Sequence, residues 1–200
     1  MEEIIVKKAI VLVSLMLLAL PAFAVNEIVV TELMYNSLGT DVEWIELINN
    51  TDAPIDLTGW TLVDDLDHNP VPLSGVMGPE EVMVLVVEID LFSAQYPDVT
   101  NYFPAFASDA PWGLNNGGDE IFIFDDTGTE IFHMEYDDGG DWPSEADGDG
   151  PSLVVVSTDV SDFSDGANWM PGPDWGTPGV IVGTVATESA TMGLVKSLYR

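Results

Sequence analysis

Residues Glu120 to Tyr136 read EIFIFDDTGTEIFHMEY. Two apolar runs, Glu120 to Phe124 and Glu130 to Tyr136, flank the turn Asp125-Asp126-Thr127-Gly128. Branched and aromatic side chains suit a pleated, half-buried strand, and a short Asp- and Gly-containing link folds two such runs into a hairpin. The same texture repeats outward. Upstream come Glu27 to Asn36 (EIVVTELMYN), Val42 to Asn49 (VEWIELIN), Ile55 to Val63 (IDLTGWTLV) and Glu81 to Glu88 (EVMVLVVE). Downstream, Leu153 to Ser157 is the last clear strand. Turn residues punctuate them: Asp64-Asp65, Asn69-Pro70, Gly78-Pro79 and Asn115-Asn116-Gly117-Gly118. Short strands at this spacing indicate an all-β sandwich or barrel.

Individual stretches give finer expectations. In Val42 to Asn49, Val42, Trp44 and Glu46 point one way and Glu43, Ile45 and Leu47 the other. Neither face is purely apolar, which predicts a central strand with one wet end. Gly59 predicts a bend or bulge within 55–63. The unbroken apolar run in 81–88 predicts a strand covered on both faces. Asp90 to Tyr96 predicts one or two helical turns, capped by Asp90 and stopped before Pro97. Trp44 and Trp60 fall in strand-like runs and are expected in the core, each N–H on a backbone carbonyl. Trp112, Trp142, Trp169 and Trp175 lie in loop-like stretches, where plugging the open ends of the fold is favoured over forming a binding platform.

The two ends differ from the middle. Met1 to Lys8 is short and polar, Ala9 to Leu20 is apolar apart from Ser14, and Pro21 precedes the small-residue site Ala22-Phe23-Ala24. That is the grammar of a secretory signal peptide over residues 1–24, with an apolar run too short to span a bilayer. A β domain is expected over 25–179. Residues 180–200 read as a linker and short tail, with Leu194, Val195 and Leu198 on one helical face. Export would place the mature chain outside the cell or on its surface, with no membrane span, and a monomer is expected there.

Charge excludes several functions. The formal net charge is −31, and the only basic residues are Lys7, Lys8, Lys196 and Arg200. Nucleic-acid binding depends on Lys and Arg displacing counterions, so no nucleic-acid partner is expected. Anionic lipid is repelled for the same reason. The high apolar content, with six Trp and eight Phe, argues against a disordered acidic chain. There is no cysteine, hence no disulfide and no thiol chemistry.

The stretches IVVTELMY (28–35), EWIELINN (43–50), DLTGWTL (56–62), MGPEEVMVLV (77–86), LNNGGDEIFIFD (114–125), DGDGPSL (147–153), Asn168-Trp169 and Gly176-Thr177-Pro178-Gly179 together resemble the lamin-tail domains, in the family's order over about 150 residues. The resemblance, to the bacterial secreted type, implies an immunoglobulin-like β-sandwich. It also implies a binding or attachment module without catalysis. Nuclear lamin tails are associated with nucleic acid and chromatin, a role that the lack of basic residues here contradicts.

Catalytic motifs are missing. The two histidines, His68 and His133, have no nucleophile in a suitable context, Ser144 and Ser152 included, and no phosphate-binding or zinc-binding motif occurs. Carboxylates are abundant, so a carboxylate-based hydrolase is the remaining enzymatic alternative, although no pair stands out. Calcium is the one candidate cofactor. Glu145, Asp147 and Asp149 alternate before Gly150 as in the front of an EF-hand loop, but the twelfth position is Val156 where a Glu is needed. Two further acidic clusters, Asp137-Asp138-Gly139-Gly140-Asp141 and Asp64, Asp65 and Asp67, read as solvated turns with the same option. The sequence therefore predicts a secreted or cell-surface binding module, calcium-tuned through Glu145, Asp147 and Asp149, with a protein or glycan partner. The alternative is a structural component of the cell envelope or matrix delivered by the tail.

Overall fold

A computed structural model describes residues 26–64, 66, 70–103 and 112–181. The expected signal peptide 1–24 and the tail from residue 182 lie outside the described residues. The chain forms β1 (Ile28–Met34), β2 (Trp44–Asn49), β3 (Ile55–Asp56), β4 (Thr61–Val63), β5 (Val71–Pro72), β6 (Val76–Met77) and β7 (Val82–Val86). The helix α1 (Ile89–Gln95) follows, then β8 (Gly118–Phe124), β9 (Glu130–Asp137), β10 (Pro151–Val155) and β11 (Trp169–Asp174). Short 3-10 turns cover Ser144–Ala146 and Gly166–Asn168.

Two sheets face one another. One has five strands in the order β11-β10-β1-β2-β7, the other four in the order β5-β4-β8-β9, and β3 and β6 form a small separate ladder. All strand pairs are antiparallel. The main core lies between the sheets. Leu33, Ile45, Leu47 and Leu153 come from the larger sheet, and Leu62, Ile121, Ile123, Phe132 and Met134 from the smaller. A second cluster sits on the outer face of the larger sheet, where Met34, Val42, Trp44, Val84 and Val86 pack against Phe92 of α1. The larger sheet is thus covered on both sides, which is why β1 and β2 are buried at every position.

The hairpin 120–136 forms as expected, with Glu120 opposite Glu135 and Phe122 opposite His133. Its turn is held by Asp125, whose Oδ1 accepts from the backbone N–H groups of Thr127 and Thr129, both at 2.8 Å. Residues 55–63 are two strands, not one. The chain turns at Leu57 to Trp60, with Gly59 at φ +87°, so that β3 pairs with β6 while β4 joins the smaller sheet beside β8. The edge of β7 is covered by residues 101–103: Val84 N–H donates to Asn101 O, and Phe103 N–H to Val84 O.

Three expectations need correction. Glu46 does not make a wet end, because it is fully buried on the outer face of β2 beside Trp44. Helix α1 is capped by the backbone of Glu88, without a side-chain capping bond, and Asp90 lies inside its first turn. The indole of Trp44 donates to the Tyr96 hydroxyl at 3.2 Å and not to a carbonyl. Strand β11 carries no strand signature in the sequence, since WMPGPD holds two prolines and a glycine. It sits at the sheet edge, where a missing N–H is tolerated, and a side chain at Gly172 would collide with Ser152 and Val154 of β10.

Gly118 opens β8 at φ +114°, and a Cβ there would lie 2.6 Å from the Tyr136 carbonyl oxygen. Gly118→Ala should lower unfolding free energy by on the order of 2 kcal/mol, combining backbone strain with a backbone clash. Urea unfolding of the variant checks it, and an unchanged midpoint would contradict the hairpin geometry.

Candidate functional site

The outer face of the larger sheet concentrates the unusual chemistry. Glu32 of β1 and Glu46 of β2 are register partners, so their side chains stand side by side on one face. They are 0% and 1% exposed. No Lys or Arg exists among the described residues to pair with them. A buried carboxylate without a counter-charge must collect hydrogen bonds or take up a proton.

Both carboxylates collect donors from a strap formed by residues 175–181. Glu32 Oε1 accepts from Ser152 Oγ at 2.5 Å and from Thr177 N–H at 2.9 Å, and its Oε2 accepts from Thr177 Oγ1 at 2.8 Å. Glu46 Oε1 accepts from Thr31 Oγ1 at 2.7 Å, and its Oε2 from Gly179 N–H at 2.7 Å. The strap is fixed further by an aromatic relay: Trp44 donates to the Tyr96 hydroxyl, which donates to the Trp175 carbonyl at 2.6 Å. Trp175 and Gly176 both have left-handed backbones, at φ 67° and 65°. For Trp175 that conformation costs on the order of 1 kcal/mol, and its N–H and carbonyl are both bonded, to Gly150 O and Tyr96, to hold it. At Gly176 a side chain would run into Glu32 and Trp44, so only glycine fits.

Burial sets the protonation of this face. It raises Glu46 to about 8, with the neighbouring Glu32 charge adding to the effect. Glu32 is raised as well, again through burial, against the lowering influence of its Ser152 and Thr177 bonds. Glu43, half-buried near β2, is raised to about 7, first by burial and then by the charges of Asp41, Asp119 and Glu88. Its Oε2 accepts from Leu114 N–H at 2.9 Å.

The residues singled out for calcium are dispersed. Glu145, Asp147 and Asp149 are all exposed on the segment around the 3-10 turn. Asp147 Oδ1 accepts from Asn36 Nδ2 at 2.7 Å, and Gly148 N–H from the same segment donates to Asn36 O. Among the described residues, no three Asp, Glu or His side chains are gathered so as to hold a metal ion. In the 137–141 cluster, Asp137 Oδ1 accepts from Gly139 N–H, closing its own turn. Asp64 is buried and accepts from Gly113 N–H, while Asp65, Asp67 and His68 lie outside the described residues.

His133 faces outward, stacked on Phe122 at 4.3 Å between ring centres, with Glu120 Oε1 at 3.9 Å. The Ser152 hydroxyl is committed to Glu32. Of the loop tryptophans, Trp112 and Trp169 are buried, and Trp169 donates to Phe163 O at 2.8 Å. Trp142 is half-buried and packs against Trp169 at 6.0 Å, so these three rings fill the fold, while Trp175 is half-buried at the start of the strap.

A family model, the lamin tail domain, matches residues 21–138. The chain belongs to the lamin tail domain family. No curated protein matches it. Lamin tail domains are immunoglobulin-like, in keeping with the two-sheet sandwich. The matched span contains Glu32 and Glu46, whereas Ser152, Thr177 and Gly179, which satisfy them, lie beyond it. Sequence reasoning missed this buried pair. The available signal was a Glu on the same face of each of two successive apolar strands, in a stretch with no basic residue.

A raised carboxyl pKa stabilises the folded state below the ordinary value near 4.5, and that stability is lost as pH climbs through the folded value. Unfolding free energy should therefore decline from pH 5 to 8, through Glu43 near 7 and Glu46 near 8. Denaturant unfolding across this range at fixed ionic strength measures it. Glu46→Gln should flatten the decline, and a wild-type stability that rises with pH would refute the dominance of burial.

Proposed function

We propose that this lamin tail domain is an exported, non-catalytic attachment module that engages a protein or glycan at the cell surface. Family membership supports a binding or structural role for the sandwich. The observation that carries the non-catalytic reading is the use already made of its best-placed polar groups. The buried carboxylates bind the strap, Ser152 is tied to Glu32, and the one described histidine stacks on a phenylalanine. A described surface without Lys or Arg favours partners that present neutral polar or cationic groups, and disfavours phosphate backbones and anionic lipid. Among the described residues, no helix is long and apolar enough to cross a membrane.

Expression of the full chain with a carboxyl-terminal epitope, in a host that processes signal peptides, tests export. The expected product is extracellular and begins at Val25. A full-length chain retained inside the cell would overturn this reading. Ile181 still packs against the core, so a tail deletion must begin at residue 182. Loss of surface attachment on that deletion, with melting unchanged, would favour the envelope-component alternative.

Calcium tuning through Glu145, Asp147 and Asp149 is tested by melting in EDTA, calcium and magnesium. Because these carboxylates are dispersed, calcium and magnesium should raise Tm equally, as charge screening does. A calcium-selective rise abolished by Asp147→Asn and Asp149→Asn would instead make the ion part of the function.

A further inference from the structure

We propose that Glu32 and Glu46 hold one proton between them, and that this proton is a latch keeping the strap 175–181 closed over the outer face of the larger sheet. The geometry rests on three facts. The carboxylates are register neighbours on one face, both are fully buried, and the described residues offer no cation. Two like charges directly opposite one another in a water-poor site cannot both ionise at ordinary pH. The pair titrates as a unit, the first proton leaving in the ordinary range and the second much later. The late second step agrees with Glu46, which burial raises first and the neighbouring Glu32 charge raises further.

The strap is the part that yields. It supplies Thr177 N–H, Thr177 Oγ1 and Gly179 N–H, three of the donors on the pair. The remaining donors, Ser152 Oγ and Thr31 Oγ1, belong to strands β10 and β1, which are pinned in the sheet. When the second proton leaves to solvent, the doubly charged pair gains most by hydration. Water reaches it most readily by lifting the strap, since the sheet and the apolar cluster of Trp44, Val84 and Val86 enclose the other sides. The titratable groups facing the pair are few. Strand β1 supplies Glu32, β2 supplies Glu46, and Tyr96, the residue that follows α1, bonds Trp44 and Trp175 through its hydroxyl. Strap residues 175–181 carry no ionisable side chain. Opening of the strap is therefore linked to loss of this one proton, and acidification tightens it.

The test uses the full chain. Carbon-detected NMR follows the side-chain carboxyls of Glu32 and Glu46, and hydrogen exchange of the Thr177 and Gly179 amides, corrected for intrinsic rate, gives the opening constant of the strap. One carboxyl step is expected in the ordinary range and a second well above it. Between the two, strap opening should rise about tenfold per pH unit. Glu46→Gln should abolish the second step and leave strap opening flat above pH 6. Simultaneous titration of both carboxyls in the ordinary range would overturn the proposal. So would a strap whose protection is constant while the second step occurs, or a pH dependence that survives Glu46→Gln. The wild-type titration alone decides the matter if the variant does not fold.

Discussion

Two carboxylates buried side by side, with no Lys or Arg among the described residues to neutralise them, impose the constraint on which this molecule is organised. Leaving either without partners would cost several kcal/mol, a large share of a typical domain's net stability. The fold meets that demand with five short hydrogen bonds, drawn from β1, from β10 and from a strap that follows β11. Strand β10 therefore does more than add a ladder to β1, because it delivers Ser152 to Glu32. The strap reaches the pair through a left-handed backbone at Trp175 and Gly176.

The same constraint shapes the outer layer. A sheet face carrying two carboxyl groups would ordinarily be left to water. Here it is closed by α1, by residues 101–103 and by the strap, with Tyr96 joining helix to strap through its bonds to Trp44 and Trp175. Asn101 adds a tie, donating from Nδ2 to Val82 O and Gly179 O. The result is a sandwich with a third, partial layer. Its polar interior is satisfied almost wholly by neutral donors, which suits a chain with so few basic residues.

The acidic surface is the other side of this economy. Asp side chains on exposed turns accept from nearby backbone N–H groups, as Asp125 does from Thr127 and Thr129 and Asp137 from Gly139. Each such bond fixes a turn locally and spreads the carboxylates along the chain. Among the described residues these acids gather into no metal centre. The fold holds two kinds of acid: exposed Asp residues that shape turns, and buried Glu residues that join strands to the strap.

Strand segments with local signatures, the hairpin at 120–136, the all-β class, the family and the lack of thiol chemistry were all legible along the chain, as was the charge that argues against a nucleic-acid partner. These depend on side-chain alternation, turn composition and charge, all of which act over a few residues or over the whole chain at once. That IDLTGWTLV divides between two ladders, that the Pro-containing WMPGPD is an edge strand, and that Glu46 is buried follow from packing across the fold. Each depends on what lies across from it: Asp126 beside Gly59, Ser152 beneath Gly172, Gly179 above Glu46. A glutamate in an apolar strand looks like a wet end until a donor 133 residues away in the chain is brought onto it, and no local pattern encodes that meeting.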